Sequence, residues 1–117
     1  MTGEPGFRLH PLAAQDIIGI WEYIAEDNLL AARRVREEIL SRIRAVIPFP
    51  NQGHKRPDLT SRPLRFILVR EYLIAYAPEE KPLWVVAVIH GRRSPRVMAA
   101  ILRGRESSFA RALVSRK

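Results

Sequence analysis

Leu83-Trp-Val-Val-Ala-Val-Ile89 is the longest purely apolar run in the chain, and it decides the architecture. Side chains of a strand alternate between two faces, so a run that is apolar at every position belongs to a central strand covered on both sides. It is far too short for the roughly 20 residues that a membrane span needs. Upstream, residues 64–69 and 72–77 also have strand composition, separated by Arg70-Glu71, and Pro78-Glu-Glu-Lys-Pro82 leads into 83–90. Links this short join antiparallel neighbours, so the three segments form a meander.

The cover for one face lies before the meander. Residues 7–10 alternate apolar and polar as a short strand, and Pro11 suits the first position of a helix. Ala13, Ile17, Ile20, Trp21, Ile24 and Ala25 recur at helical spacing as one apolar face, with Gln15, Asp16, Glu22 and Glu26 mostly away from it. Asn28 caps a second helix, whose stripe of Ala32, Val35, Ile39, Ile43, Val46 and Ile47 stops at Pro48. The two make a helical hairpin. Arg33 with Glu37 and Arg34 with Glu38 stand four residues apart, as solvent-facing pairs do.

Residues 48–63 are dense in turn formers and have no periodicity; so long a loop is either functional or disordered. After the last strand comes Gly91-Arg92-Arg93, then Ser94 as N-cap and Pro95 as first residue of a third helix, with Val97, Met98 and Ile101 inward. Gly104 is placed to end that helix. Residues 105–117 then form a basic tail, with a frayed helical turn around Phe109 and Leu113 or order gained only on a partner. The expected fold is α+β in the order β-α-α-β-β-β-α, a small antiparallel sheet against an N-terminal helical hairpin. It is one domain over 1–117 with its core in about 7–103.

Charge is distributed unevenly. The chain carries +8, with a sequence pI near 11.0. Residues 1–90 hold 12 basic and 11 acidic side chains, a net of +1, while 91–117 hold eight basic ones against Glu106, a net of +7. Arginine dominates the basic set, and its planar fork suits carboxylate or phosphate. An acidic protein or a nucleic acid is the partner this composition favours. Cysteine is absent, which excludes disulfides and thiolate chemistry. His10 and His54 are too far apart for a metal motif, so no metal or cofactor is expected. The N-terminal residues contain an acid and no apolar segment of a secretory signal, so a cytoplasmic protein is the expectation.

Asp16-Ile-Ile-Gly-Ile-Trp-Glu-Tyr-Ile-Ala25, Pro50-Asn-Gln-Gly53, Leu64-Arg65, Tyr72-Leu-Ile-Ala-Tyr76 and Val88-Ile-His-Gly-Arg-Arg93, in this order, resemble the RelE/ParE superfamily of bacterial type II toxin–antitoxin toxins. The likeness covers about residues 7–103. It implies a cognate acidic antitoxin, ParD-like or other, forming a heteromeric complex. The nuclease branch of that superfamily has an arginine after the tyrosine of its third strand, where this chain has Leu73. Its last helix carries a late Tyr or His-Tyr element, where this chain reads Arg96-Val-Met-Ala-Ala-Ile101. Trp21-Glu-Tyr-Ile-Ala25 and His90-Gly-Arg-Arg93 resemble the ParE branch instead, which implies binding to DNA gyrase without a catalytic centre. Ribosome-dependent cleavage of messenger RNA, and a plain basic binding module that contacts DNA or RNA, stand as alternatives.

The residues singled out for target or antitoxin binding are Arg65, His90, Arg92, Arg93, Arg96, Arg103 and Arg105, expected as one positive face beside the end of the sheet. The bland alternatives are an Arg65 paired with an acid such as Glu71, solvated turn charges at Arg92 and Arg93, and a His90 that only closes the Gly91 turn. Ile17, Trp21 and Ile24 are core residues or, if partly exposed, the apolar dock of an antitoxin. Tyr72 and Tyr76 share a strand face and pack on the hairpin.

Overall fold

A computed structural model of the chain describes the backbone of residues 3, 4 and 6–115 and the side chains of residues 6–105. Its elements are β1 (Gly3–Glu4), β2 (Phe7–Leu9), α1 (Pro11–Ala25), α2 (Leu29–Val46), β3 (Arg65–Val69), β4 (Tyr72–Ala77), β5 (Leu83–His90) and α3 (Pro95–Ser115). The expected β-α-α-β-β-β-α order is present, preceded by the two-residue β1 that composition did not signal. Both expected caps form: the Asn28 side chain accepts from Ala31 N–H at 3.0 Å, and Ser94 Oγ accepts from Val97 N–H at 3.2 Å. Pro11 occupies the first turn of α1, and the His10 ring caps that helix by accepting Leu12 N–H at 3.0 Å.

The sheet runs β1-β2-β5-β4-β3. The meander β3-β4-β5 is antiparallel as expected, but β2 joins β5 in parallel, Phe7 opposite Leu83 and Leu9 opposite Val85, so the sheet is mixed. Nothing in three short residues encodes direction; the long excursion through the hairpin and meander brings β2 back alongside β5.

Two cores sandwich the sheet. One packs Ile17 of α1 and Val35, Ile39 and Ile43 of α2 on Val85, Val88, Tyr72 and Tyr76. The other packs Met98 and Leu102 of α3, with Leu59 of the long loop, on Trp84, Val86, Ala87 and Ile89. This is the two-sided cover that the apolar run in β5 requires. The faces do not alternate strictly, because Val86 and Ala87 point to the same side. A β-bulge explains it: Ala75 pairs with Ala87 and Tyr76 with Val85, leaving Val86 as the extra residue.

The loop over 48–63 is tied to the sheet. Tyr76 Oη donates to the Pro50 carbonyl at 2.7 Å and accepts Gly53 N–H at 2.9 Å, while His54 and Phe66 exchange backbone hydrogen bonds of 2.9 and 2.8 Å. A Cβ on Gly53 would lie 2.6 Å from Tyr76 Oη, so glycine is required there by close approach.

Four expectations need correction. Val97, expected inward beside Met98 and Ile101, is 38% exposed, because it falls at the rim of the helix face that Met98 and Leu102 bury. Helix α3 does not end at Gly104; it continues to Ser115. One glycine costs a helix only about 1 kcal/mol, and Arg105, the next residue, is anchored. The expected turn around Phe109 and Leu113 is part of this helix, their side chains lying outside those described, as do those of Arg111, Arg116 and Lys117. Glu38 takes Arg70 in a two-point pair of 2.6 and 2.8 Å rather than Arg34, and Glu37 takes Arg36 at 3.2 Å. Asp16, expected away from the apolar face, turns in toward β5. No helix among the described residues is long and apolar enough to cross a membrane.

Candidate functional site

Among the described residues the outer edge of β5 has no neighbouring strand beyond Leu9, and a cleft of about 500 Å³ opens there between α1 and α3. Gly19, Ile20 and Tyr23 line one wall, Val88 and Ile101 lie deeper, and Arg92 and Arg93 stand at the mouth. Tyr23 is 77% exposed, and a Cβ on Gly19 would meet nothing, so that wall is open to a visitor.

The mouth is held by a network on the turn after β5. His90 Nδ1 accepts Arg92 N–H at 3.0 Å, the His90 carbonyl accepts Arg93 N–H at 3.1 Å, and Gly91 N–H donates to the Glu71 carbonyl at 2.6 Å. With Nδ1 accepting, neutral His90 carries its proton on Nε2, facing Glu71 Oε2 at 3.3 Å. The ring also packs edge-on against Tyr72, centroids 5.3 Å apart. Both nitrogens of His90 are thus engaged in closing the turn. Burial pushes the Tyr72 phenol above its ordinary pKa, aided by the negative charge of Glu71.

Deeper in the cleft, Asp16 Oδ2 accepts Val88 N–H at 2.9 Å and the Arg105 guanidinium grips both carboxylate oxygens, Nη2 reaching Oδ1 at 2.9 Å. The two side chains are only 19% and 12% exposed. His10 lies near this pair, and burial followed by the Arg105 charge holds its pKa below the ordinary histidine value, Asp16 acting in the opposite sense.

The seven residues expected as one face are therefore divided. Arg92 and Arg93 meet His90 at the cleft mouth. Arg105 is a partly buried partner of Asp16, not a solvated tail residue. Arg96 and Arg103 are exposed and, at 100° per residue, fall on the face of α3 opposite Met98, Leu102 and Arg105. Arg65 sits at the other end of the sheet: it is opposite Tyr76, whereas His90 is opposite Tyr72, four residues or about 13 Å along β4. Among the described residues Arg65 pairs with no acid; its Nη1 donates to the Gly53 carbonyl at 2.8 Å and fixes the loop.

The expected antitoxin dock also changes. Ile17 is 6% exposed and belongs to the core, and Ile24 packs against it. Trp21 is half-buried outside that core, edging a groove of about 230 Å³ with Ile18 and Arg36. The accessible apolar side chains of the hairpin are Leu12, Ile18, Tyr23, Leu29 and Leu30, which a search for inward-facing stripes does not find. Among the described residues no three His, Asp or Glu side chains gather as metal ligands.

The family model described as the ParE toxin of type II toxin–antitoxin systems, parDE, matches residues 7–95. This chain belongs to that family. The match runs from the first residue of β2 to the first residue of α3, so the ParE-like part contains the hairpin, the meander and the Arg92-Arg93 turn, and the rest of α3 lies beyond it. Comparison with the curated proteins gives no match. ParE membership implies an antitoxin partner in a complex.

Proposed function

We propose that this ParE-family toxin arrests growth by binding DNA gyrase in the cytoplasm, without catalysis of its own, and that a cognate acidic antitoxin neutralises it. The carrying observation is the mouth of the cleft: Arg92 and Arg93 are exposed on a turn whose backbone is fixed by His90 and Glu71. A binding surface needs charged forks held in place before the partner arrives, because immobilising them on contact would cost affinity. His90, the natural candidate for proton transfer, is occupied on both nitrogens. Leu73, where the nuclease branch has arginine, supports the same reading.

The test uses purified full-length chain with gyrase and supercoiled DNA. Inhibition of supercoiling with accumulation of cleaved DNA is expected. Arg92→Glu with Arg93→Glu should abolish it while leaving the melting temperature unchanged. Supercoiling untouched at micromolar protein would overturn the proposal, and messenger RNA cleavage during growth arrest would replace it with the nuclease reading. Binding through arginine to an acidic partner or to DNA phosphates weakens steeply with salt, a second readout.

A further inference from the structure

Helices α1 and α3 cover opposite faces of the sheet, yet Asp16 and Arg105, 89 residues apart, meet each other. They meet around the bare edge of β5. Leu9 pairs with Val85 and His10 N–H still reaches the Val85 carbonyl, but no strand of the described residues follows. The bulge at Val86 turns the next backbone groups to this edge: Val88 N–H donates to Asp16, and the Val86 carbonyl lies 3.4 Å from Arg105 Nη1. The two side chains thus occupy the place of a missing strand and bind each other across it.

We infer that Asp16 and Arg105 are positioning residues, a clasp around the β5 edge that fixes the angle at which α3 crosses the sheet. The inner face of α3 before this point offers only Met98, Ile101 and Leu102, of which Met98 and Leu102 are buried. A helix of 21 residues is about 32 Å long, and among the described side chains its apolar anchors lie in the first two turns. Arg105 adds a grip one turn further on. A planar fork meeting both oxygens of a carboxylate that is itself held by a backbone N–H resists rotation as well as translation. The grip sets where Arg96 and Arg103, on the outer face, stand relative to Arg92 and Arg93. This last step rests on the arginine surface being the one that meets the target.

The test is hydrogen exchange of the full chain, read on peptides from 95–115, together with gyrase inhibition. Asp16→Asn keeps the shape and an acceptor for Val88 but removes the charge; exchange in α3 should rise at least roughly tenfold while β4 and β5 stay protected. Arg105→Lys keeps the charge without the fork, and should give a smaller rise, which keeps the clasp testable if Asp16→Asn fails to fold. Gyrase inhibition should fall in step, and the exchanged pair Asp16→Arg with Arg105→Asp should restore part of both. Exchange within twofold of the parent in both variants would overturn the clasp. A loosened α3 with full inhibition would overturn its role in positioning. A parent that never inhibits gyrase refutes the target alone, since exchange reports docking whatever the target.

Discussion

Tyr76→Phe removes a single oxygen from the structure, and its cost follows from the partners left behind. Tyr76 is fully buried, and burial holds its phenol above the ordinary pKa, with the Gly53 N–H opposing, so the hydroxyl stays protonated and can donate. Phenylalanine keeps the ring and its packing. It leaves the buried Gly53 N–H without its acceptor and the Pro50 carbonyl without its donor. An unsatisfied buried group costs about 1–3 kcal/mol, so the variant should lose about 2 kcal/mol. With an unfolding entropy of about 2.1 cal/mol/K per residue, that loss lowers the melting temperature by roughly 8 °C. Urea titration with an unchanged m-value would give the free energy, and exchange at Gly53 would locate the change. A loss below about 0.5 kcal/mol would refute the reasoning, because it would mean that the loop over 48–63 is not held to the sheet by this hydroxyl.

Gly53→Ala should cost more than Tyr76→Phe in the same titration, since its Cβ would also lie 2.9 Å from the Phe66 carbonyl, a backbone atom that cannot swing away. Gly104→Ala should instead stabilise by about 0.5–1 kcal/mol, because it sits inside α3 with nothing within 4 Å of the new methyl; a loss would show that the helix does break there. His10 supplies a pH dependence. Its folded pKa is lowered, so between that value and the ordinary one near 6.5 the unfolded chain binds more protons. Stability contributed there therefore rises with pH and levels off above about 6.5. In His10→Asn, which keeps a capping acceptor but does not titrate, the difference in stability between pH 5 and pH 7 should shrink; an identical profile would dismiss His10 as its source.

Much of the fold was legible because its signals are local. The stripes of α1 and α2, the caps at Asn28 and Ser94 and the short links at Arg70-Glu71 and 78–82 each act over a few residues, and β2 to β5 and the two hairpin helices formed within one or two residues of their expected bounds. What escaped depends on distant partners. Asp16 was placed on the polar side because a lone carboxylate on a helix says nothing about an arginine 89 positions away. The bulge was invisible because an apolar residue on either face of β5 reads the same. Gly104 was overrated as a stop signal because a glycine inside a helix and one after it look alike in sequence. Charge density over 91–117 was correctly seen, but counting charge along a chain assigns no direction. Helix rotation sends Arg96 and Arg103 outward and Arg105 inward, and the loop takes Arg65.

The extra residue in β5 also makes the strand forgiving of one particular loss. Deleting Val86 would let the ladder with β4 run without interruption, Val85 still opposite Tyr76 and Ala87 still opposite Ala75, so every side chain beyond it would keep its partner and its layer. Losing one codon there would therefore remove the local kink and the Val86 carbonyl beside Arg105 while leaving both halves of the interior in place. A single deletion in β4, which carries no spare residue, would instead send the side chains on one side of the cut to the opposite layer.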